Sequence, residues 1–330
     1  RPRADDHEGV TDEVTSAVPR DIARRIAANL ATVMRGQEVA IRRLLAAFAS
    51  GGHVLLEDYP GTGKTMLAKA LARSIGASFK RIQFTPDTTP SELTGQNTIR
   101  MGEQVFVPGV VFTNVLLADE INRTPPRTQA ALLEAMQERQ VTVEGKSHVL
   151  PDPFLVIATQ NPYEHRDVFE LPESQLDRFL FKLQIEYSDP ESEYLMLDLP
   201  HKGVAPDMLG EVQPLLGVVG LDKARIELDA TDIPEEVGRY MVAIARATRS
   251  APGVELGVSS RGIIHLASAA KANARLNGRD FVTAEDVREI APYVLLHRII
   301  VEGNMTQEQA LETVLEAVPT PSITTSLVYA

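Results

Sequence analysis

The stretch EDYPGTGKT at 57–65 joins an apolar run, HVLLED, to a segment of helical periodicity, TMLAKALARSIG. A loop in that position aims successive backbone N–H groups at one point. The dipole of the following helix adds partial positive charge there, so the place suits phosphate groups. The loop residues Pro60, Gly61, Thr62 and Gly63, with Lys64, Thr65 and Met66 opening the helix, are the expected nucleotide contacts. Gly61 and Gly63 let the backbone curl closely around the ligand. Lys64 is spaced to reach the β- and γ-phosphates, and the Thr65 hydroxyl to ligate Mg²⁺. The strict pattern asks for glycine where Asp58 stands, so the Asp58 carboxylate is expected to point away from the cradle. The plain alternative is a glycine-rich turn before an ordinary helix.

A second acidic motif suits the first. VLLADE at 115–120 reads as a buried strand whose C-terminal end carries two acids. Asp119 is placed to hold Mg²⁺ through water, and Glu120 to polarise an attacking water. Asp-Glu after a strand also occurs in surface turns, and it gains force here as the partner of the phosphate loop. FLVIATQNP ends a further apolar run with Asn161, whose amide can orient the water or sense a γ-phosphate, although Asn-Pro is also a common turn. Arg178 in QLDRF and Arg261 in SSRGIIHLA complete the set. A lone arginine is ordinarily a solvated surface residue. Arg261 falls at a helix start, where its charge opposes the dipole unless an anion lies nearby.

The elements that must position these groups follow from periodicity. Val18, Ile22, Ile26 and Leu30, then Val39, Leu44, Leu45 and Phe48, predict two helices around a turn at Gly36. Apolar strands are expected at 53–58, 79–84, 114–119, 154–159 and 181–187, with a helix at 128–140 between two of them. Strands alternating with helices predict a parallel sheet covered on both faces. Residues 94–109 and 140–153 break the alternation and read as hairpins. Beyond Tyr187 the pattern turns helical. Ser188 and Glu191 are spaced as a capping box for a helix over ESEYLMLDL, and further helices are expected at 234–250, 260–276, 283–298 and 306–317. Thr283 and Asp286 form a second such start, and the last dozen residues read as a loose tail.

At 330 residues the chain exceeds the roughly 250–300 at which single cores tend to split, so two domains are expected. They are an α/β nucleotide-binding core over 1–190 and a smaller all-α lid over 191–330. The N-terminus lacks an initiator Met and shows no secretory h-region. No apolar run approaches the ~18 residues of a membrane span, and a cytoplasmic protein is the expectation. Absence of cysteine excludes disulfides, thiolate metal sites and cysteine nucleophiles. The seven histidines include no pair at the i, i+4 spacing of a helical metal site. A net charge of −12 disfavours a nucleic-acid partner.

Taken together, LLADEINRTPPRTQAALLEAMQERQVTVEG, LPDPFLVIATQNP and LPESQLDRFL resemble the MoxR family of AAA+ ATPases, over roughly residues 18–320. The resemblance implies a P-loop NTPase fold, ATP and Mg²⁺ as ligands, and the two hairpins as the helix-2 insert and the pre-sensor-1 hairpin. It implies that Asn161 is sensor 1, that Arg178 is an arginine finger acting on a neighbouring subunit's ATP, and that Arg261 is sensor 2. Gly36 and Gln37 would lie against the adenine. It also implies a homo-oligomeric ring, usually hexameric, with a chaperone-like role in remodelling or maturing a protein complex. A separate partner carrying a von Willebrand factor A domain, and a protein client, would complete the system. Asp167, Val168 and Glu170 depart from the family's Gly-Thr and Pro, which bears on the loop leading to Arg178. Two alternatives stand beside this reading: an ATP-regulated switch of very low turnover, and a nucleic-acid motor.

Overall fold

In the computed structural model, the described residues are 18–58, 61–161, 168–185, 187, 189–196, 201–202, 205–206, 209–212, 214–215 and 218–321. Helix α1 (Val18–Val33) and helix α2 (Glu38–Ala49) form as the apolar spacing predicts, and Ile26, Leu30, Ile41, Leu44, Leu45 and Phe48 are all buried. Gly36 turns the chain between them at φ +71°. Strand β1 (Val54–Asp58) and α3 (Lys64–Ser74) flank the phosphate-loop sequence. There follow β2 (Phe79–Gln83), α4 (Pro90–Thr94), β3 (Gly95–Arg100), β4 (Glu103–Pro108), β5 (Val115–Asp119), α5 (Pro126–Glu138), β6 (Gln140–Val143), β7 (Lys146–Val149), β8 (Leu155–Gln160), α6 (Glu173–Leu176) and β9 (Phe181–Ile185).

The central sheet runs β2-β5-β8-β1-β9, with every pairing parallel. Side chains alternate across it with the period of two that a pleated strand imposes. Val54, Leu56, Val115, Leu117, Leu155 and Ile157 join one cluster with α1, α2 and α3. Leu55, Leu116, Ala118, Val156 and Ala158 join the other with α4 and α5. Parallel strands put all their C-terminal ends on one edge, so residues 58, 119 and 160 end up side by side.

Both expected hairpins are present, and they are clamped to each other. Asn97 Nδ2 (2.8 Å) and Gln104 Nε2 (2.7 Å), on β3 and β4, donate to Glu144 Oε2 at the tip of the β6–β7 hairpin. The Phe106 ring stacks on His148 with centroids 3.7 Å apart.

After β9 the described chain is mostly helical: α7 (Pro190–Met196), α8 (Val218–Asp229), α9 (Glu235–Thr248), α10 (Ser260–Leu276), α11 (Ala284–Leu295) and α12 (Gln307–Ala317). Two expectations change. Asp189, rather than the expected capping box, caps α7: its Oδ1 accepts the Glu191 and Ser192 amides at 3.1 and 3.0 Å. Ser188 itself lies outside the described residues. Helix α8 was not among the helices expected from the sequence. The Thr283–Asp286 capping box forms as expected, and its helix ends at Leu295 in a 3₁₀ turn. Arg43, 3% exposed, ties the helical part to α2, donating to Asn273 Oδ1 (2.9 Å) and Glu289 Oε1 (2.8 Å) and lying over the Tyr293 ring.

Candidate functional site

Gly61 (φ +88°) and Gly63 (φ +84°) hold left-handed conformations that other residues adopt only with strain. At Gly63 a Cβ would also lie 2.9 Å from Met34 Sδ, so the loop packs closely on the end of α1. Helix α3 begins at Lys64 with no side-chain cap and no acid in its first turn. Its first-turn amides and its dipole therefore suit an anion. Tyr59, Pro60 and the Asp58 side chain lie outside the described residues, and with them the expectation for Asp58.

Lys64 and the acidic motif meet across the sheet edge. Lys64 Nζ is 3.1 Å from Asp119 Oδ1, which also accepts from the Thr159 hydroxyl at 2.7 Å. Arg81 Nη2 reaches Asp119 Oδ2 at 2.6 Å. Burial pushes the Asp119 carboxyl up, and the Thr159 hydroxyl, Arg81 and Lys64 together outweigh it, holding the group below the usual carboxylate range. Asp119 is thus an ionised, 2% exposed carboxylate beside a helix N-terminus. Mg²⁺ takes hard oxygen ligands and favours carboxylates, so Asp119 and the Thr65 hydroxyl fit such an ion.

The next residue, Glu120, sits at φ +58°, and its amide donates to the same Thr159 hydroxyl at 2.9 Å. One threonine thereby sets both acids: its proton goes to Asp119 and its lone pair receives the Glu120 N–H. The Glu120 carboxylate is partly open, with Oε2 3.0 Å from Arg123 Nε. Asn161 follows Gln160 at the same edge. Gln160 Nε2 donates to Glu57 Oε1 (2.6 Å), and Lys182 Nζ approaches that oxygen at 2.8 Å. Beside them a cavity of about 520 Å³ opens among Gly36, Gln37, Glu57, Lys182, Tyr187 and Tyr293, a size and position suited to a nucleobase. Gly36 has a packing reason as well, since a Cβ there would lie 3.0 Å from both Asp189 Oδ2 and Ser192 Oγ.

Arg178 and Arg261 come together, but away from these groups. Both line a cleft of about 310 Å³ with Gly51, Gly52, Arg139 and His265. Val54 pairs with Phe181 and Asp58 with Ile185, so residues 51 and 178 precede the starts of β1 and β9. Strands rise about 3.3 Å per residue, which sets the cleft on the order of 15 Å from the chain's own phosphate loop. The anion that Arg261 needs at the start of α10 is Asp177: its Oδ2 lies 3.7 Å from Arg261 Nη1, and its Oδ1 lies 2.8 Å from Arg298 Nε. The Arg178 Nε atom is buried without a hydrogen-bond partner among the described residues.

Thr159, Arg81 and Asp177 escaped the sequence reading. Thr159 left a usable trace as the polar residue ending an apolar strand; the others look like surface charges. Three histidines are held neutral, chiefly by burial. Burial and then Arg139 bring His53 down to about 3, burial and then Arg298 bring His265 down to about 4, and His297 lies well below its ordinary value for the same two reasons as His265. Each takes up a proton in the unfolded chain near pH 6.5 and resists it when folded. Their contribution is therefore complete above pH 6.5 and lost as pH falls, by ~1.4 kcal/mol per pH unit for each group. Thermal melts should show a clear drop in Tm from pH 7 to pH 5; a flat profile would contradict this account.

Among the described residues no group of His, Cys, Asp and Glu forms a metal cluster, and no helix is long and apolar enough to cross a membrane. Residues 53–181 match the family described as "ATPase family associated with various cellular activities (AAA)", and 246–319 match "AAA lid domain". The chain is 38% identical over 308 residues to Chaperone MoxR1 of Mycobacterium tuberculosis, covering 88% of this chain and 80% of that one. It is 32% identical over 336 residues to Protein MoxR of Methylorubrum extorquens, covering 92% and 96%. A crystal structure from Cytophaga hutchinsonii superposes with a TM-score of 0.86 at 36% identity, covering 94% of this chain and 98% of its own.

Proposed function

Because this chain belongs to the MoxR family of AAA+ ATPases, we propose that it hydrolyses ATP with Mg²⁺ as the working member of a ring that remodels a protein complex. The observation that carries this reading is the convergence of Lys64, Asp119, Thr159 and Glu120 on one sheet edge beneath the N-terminus of α3. The α3 amides and Lys64 receive the β- and γ-phosphates. Thr65 and Asp119 hold the ion, which neutralises phosphate charge when bound. Glu120 accepts a proton from water as the water oxygen bonds to the γ-phosphorus and the bond to the bridging oxygen breaks, releasing ADP and phosphate. Asn161 orients that water. Gly36 and Gln37 border the base.

Within this reading the separation of the arginines supports a ring. Arg178 and Arg261 lie on the order of 15 Å from the chain's own phosphate loop, and although Arg261 meets Asp177 within the chain, that distance supports a reading in which they act on a neighbour's nucleotide and each active site is completed by two subunits. A hexamer, a von Willebrand factor A domain partner and a protein client belong to the proposal on the strength of family resemblance. We divide the chain at 190/191 into the α/β core and the helical lid.

Lys64→Ala tests the phosphate assignment. Losing a charge-assisted bond to phosphate should weaken ATP binding by roughly 10- to 100-fold or more. The fold should persist, because Asp119 keeps Arg81 and Thr159. Titration of a fluorescent ATP analogue against parent and variant reads this directly. Equal affinities would remove the loop from the nucleotide site, and the proposed function with it.

A further inference from the structure

Glu120 is the residue on which the proposed hydrolysis turns, and its carboxylate is engaged by its own chain. The 3₁₀ turn Ile121–Arg123 folds Arg123 back so that its Nε meets Glu120 Oε2 at 3.0 Å. The backbone closes the same turn, with the Arg123 amide donating to Glu120 O at 2.9 Å. A guanidinium on a carboxylate occupies an oxygen that the attacking water would need and fixes the direction of the side chain. Both side chains are partly open, 38% and 26% exposed, and ion pairs in that setting are weak enough for a modest event to break.

The turn that carries Arg123 is joined to a second segment. Asn122 O accepts the Phe169 amide at 2.6 Å. Gln129, on α5 and fully buried, donates through Nε2 to Ile121 O (3.2 Å) and to Phe169 O (2.8 Å). From Phe169 the chain passes through buried Leu171 into α6 and reaches Arg178. One buried amide therefore bonds both the turn that holds Glu120 and the segment that leads to Arg178 in its cleft.

We propose that Arg123 is a positioning residue that restrains Glu120, and that Gln129 links this restraint to the Phe169–Arg178 segment, so that contact at Arg178 releases the base. The inference rests on the ATPase reading above. It gives each subunit low turnover alone and higher turnover when a neighbour engages its Arg178.

Steady-state ATP hydrolysis by the full chain tests it, measured across protein concentration with sedimentation alongside. At concentrations where the chain is unassembled, Arg123→Ala should raise kcat by roughly two- to fivefold, the worth of a partly exposed ion pair, with KM for ATP unchanged. Arg123→Lys, which keeps a cation on the carboxylate, should return kcat toward the parent. Gln129→Met, similar in volume, should assemble like the parent yet lose the rise of kcat with assembly. Unchanged or lower kcat in Arg123→Ala overturns the restraint, and a parental rise in Gln129→Met overturns the link. A Glu120→Gln variant as active as the parent marks failure of the underlying ATPase assignment instead, because the base itself would then be misplaced.

Discussion

Glu120→Gln is expected to bind ATP as the parent does and to hydrolyse it at least ~10²-fold more slowly, the usual worth of a positioned general base. The substitution removes charge and basicity while keeping shape. The backbone at Glu120 is fixed independently of the side chain, through its amide bond to the Thr159 hydroxyl, so the local fold should survive. An amide oxygen can still accept from Arg123, but it cannot take a proton from water. Single-turnover phosphate release, set against equilibrium binding of the same nucleotide, separates chemistry from affinity. A parental rate would show that another group polarises the water. Loss of binding would show that Glu120 holds the ion or the fold rather than the base position. With the expected outcome, the same variant held in ATP becomes a trap for clients, and the proteins that copurify with it would identify the complex being remodelled.

The parallel sheet, the two hairpins and the helical C-terminal part were legible because each rests on a local signal: apolar runs, turn glycines and periodicity. The meeting of Lys64 with the Asp119–Glu120 pair was legible for a related reason, since each motif is a set of residues adjacent in sequence at a strand end. What stayed hidden was long-range. Thr159 orients both acids across two strands, and its one trace in FLVIATQ is that of a polar residue at the end of an apolar run. Arg81 and Asp119 are brought together by the β2–β5 pairing, which local pattern does not specify. Helix α8 was missed because its glycine-containing beginning reads as a break and its charged and apolar residues do not separate cleanly around the helix. Arg261 carries the sharpest lesson. Its place at a helix start called for an anion; a phosphate was one candidate, and the chain supplies Asp177, a residue adjacent to Arg178 that sequence reading passed over.

The second large effect is expected at Arg178. An arginine finger that stabilises charge on the transferring phosphoryl group is worth roughly 10³–10⁵ in rate in related chemistry. Arg178→Ala should therefore bind ATP almost normally and turn it over very slowly. The position of Arg178 makes a further demand. It shares a cleft with Arg261 at the edge of the sheet opposite the proposed phosphate loop, and the proposal therefore has neither side chain serve its own nucleotide. Arg178→Ala keeps a sound pocket and lacks a donor, while Lys64→Ala lacks a pocket and keeps the donor. Mixed in one ring, the Lys64 variant lends its Arg178 to a neighbour of the other kind, and turnover should reappear at the interfaces where the order is right. Arg261→Ala should fall in the same class as Arg178→Ala: complemented by the Lys64 variant, and not by the Arg178 variant within the same cleft. Mixing titrations with sedimentation read both relations. Mixtures that co-assemble yet stay inactive would place the finger elsewhere. Arg127 then becomes the next residue to examine, ahead of Arg123, which already faces Glu120 within its own chain.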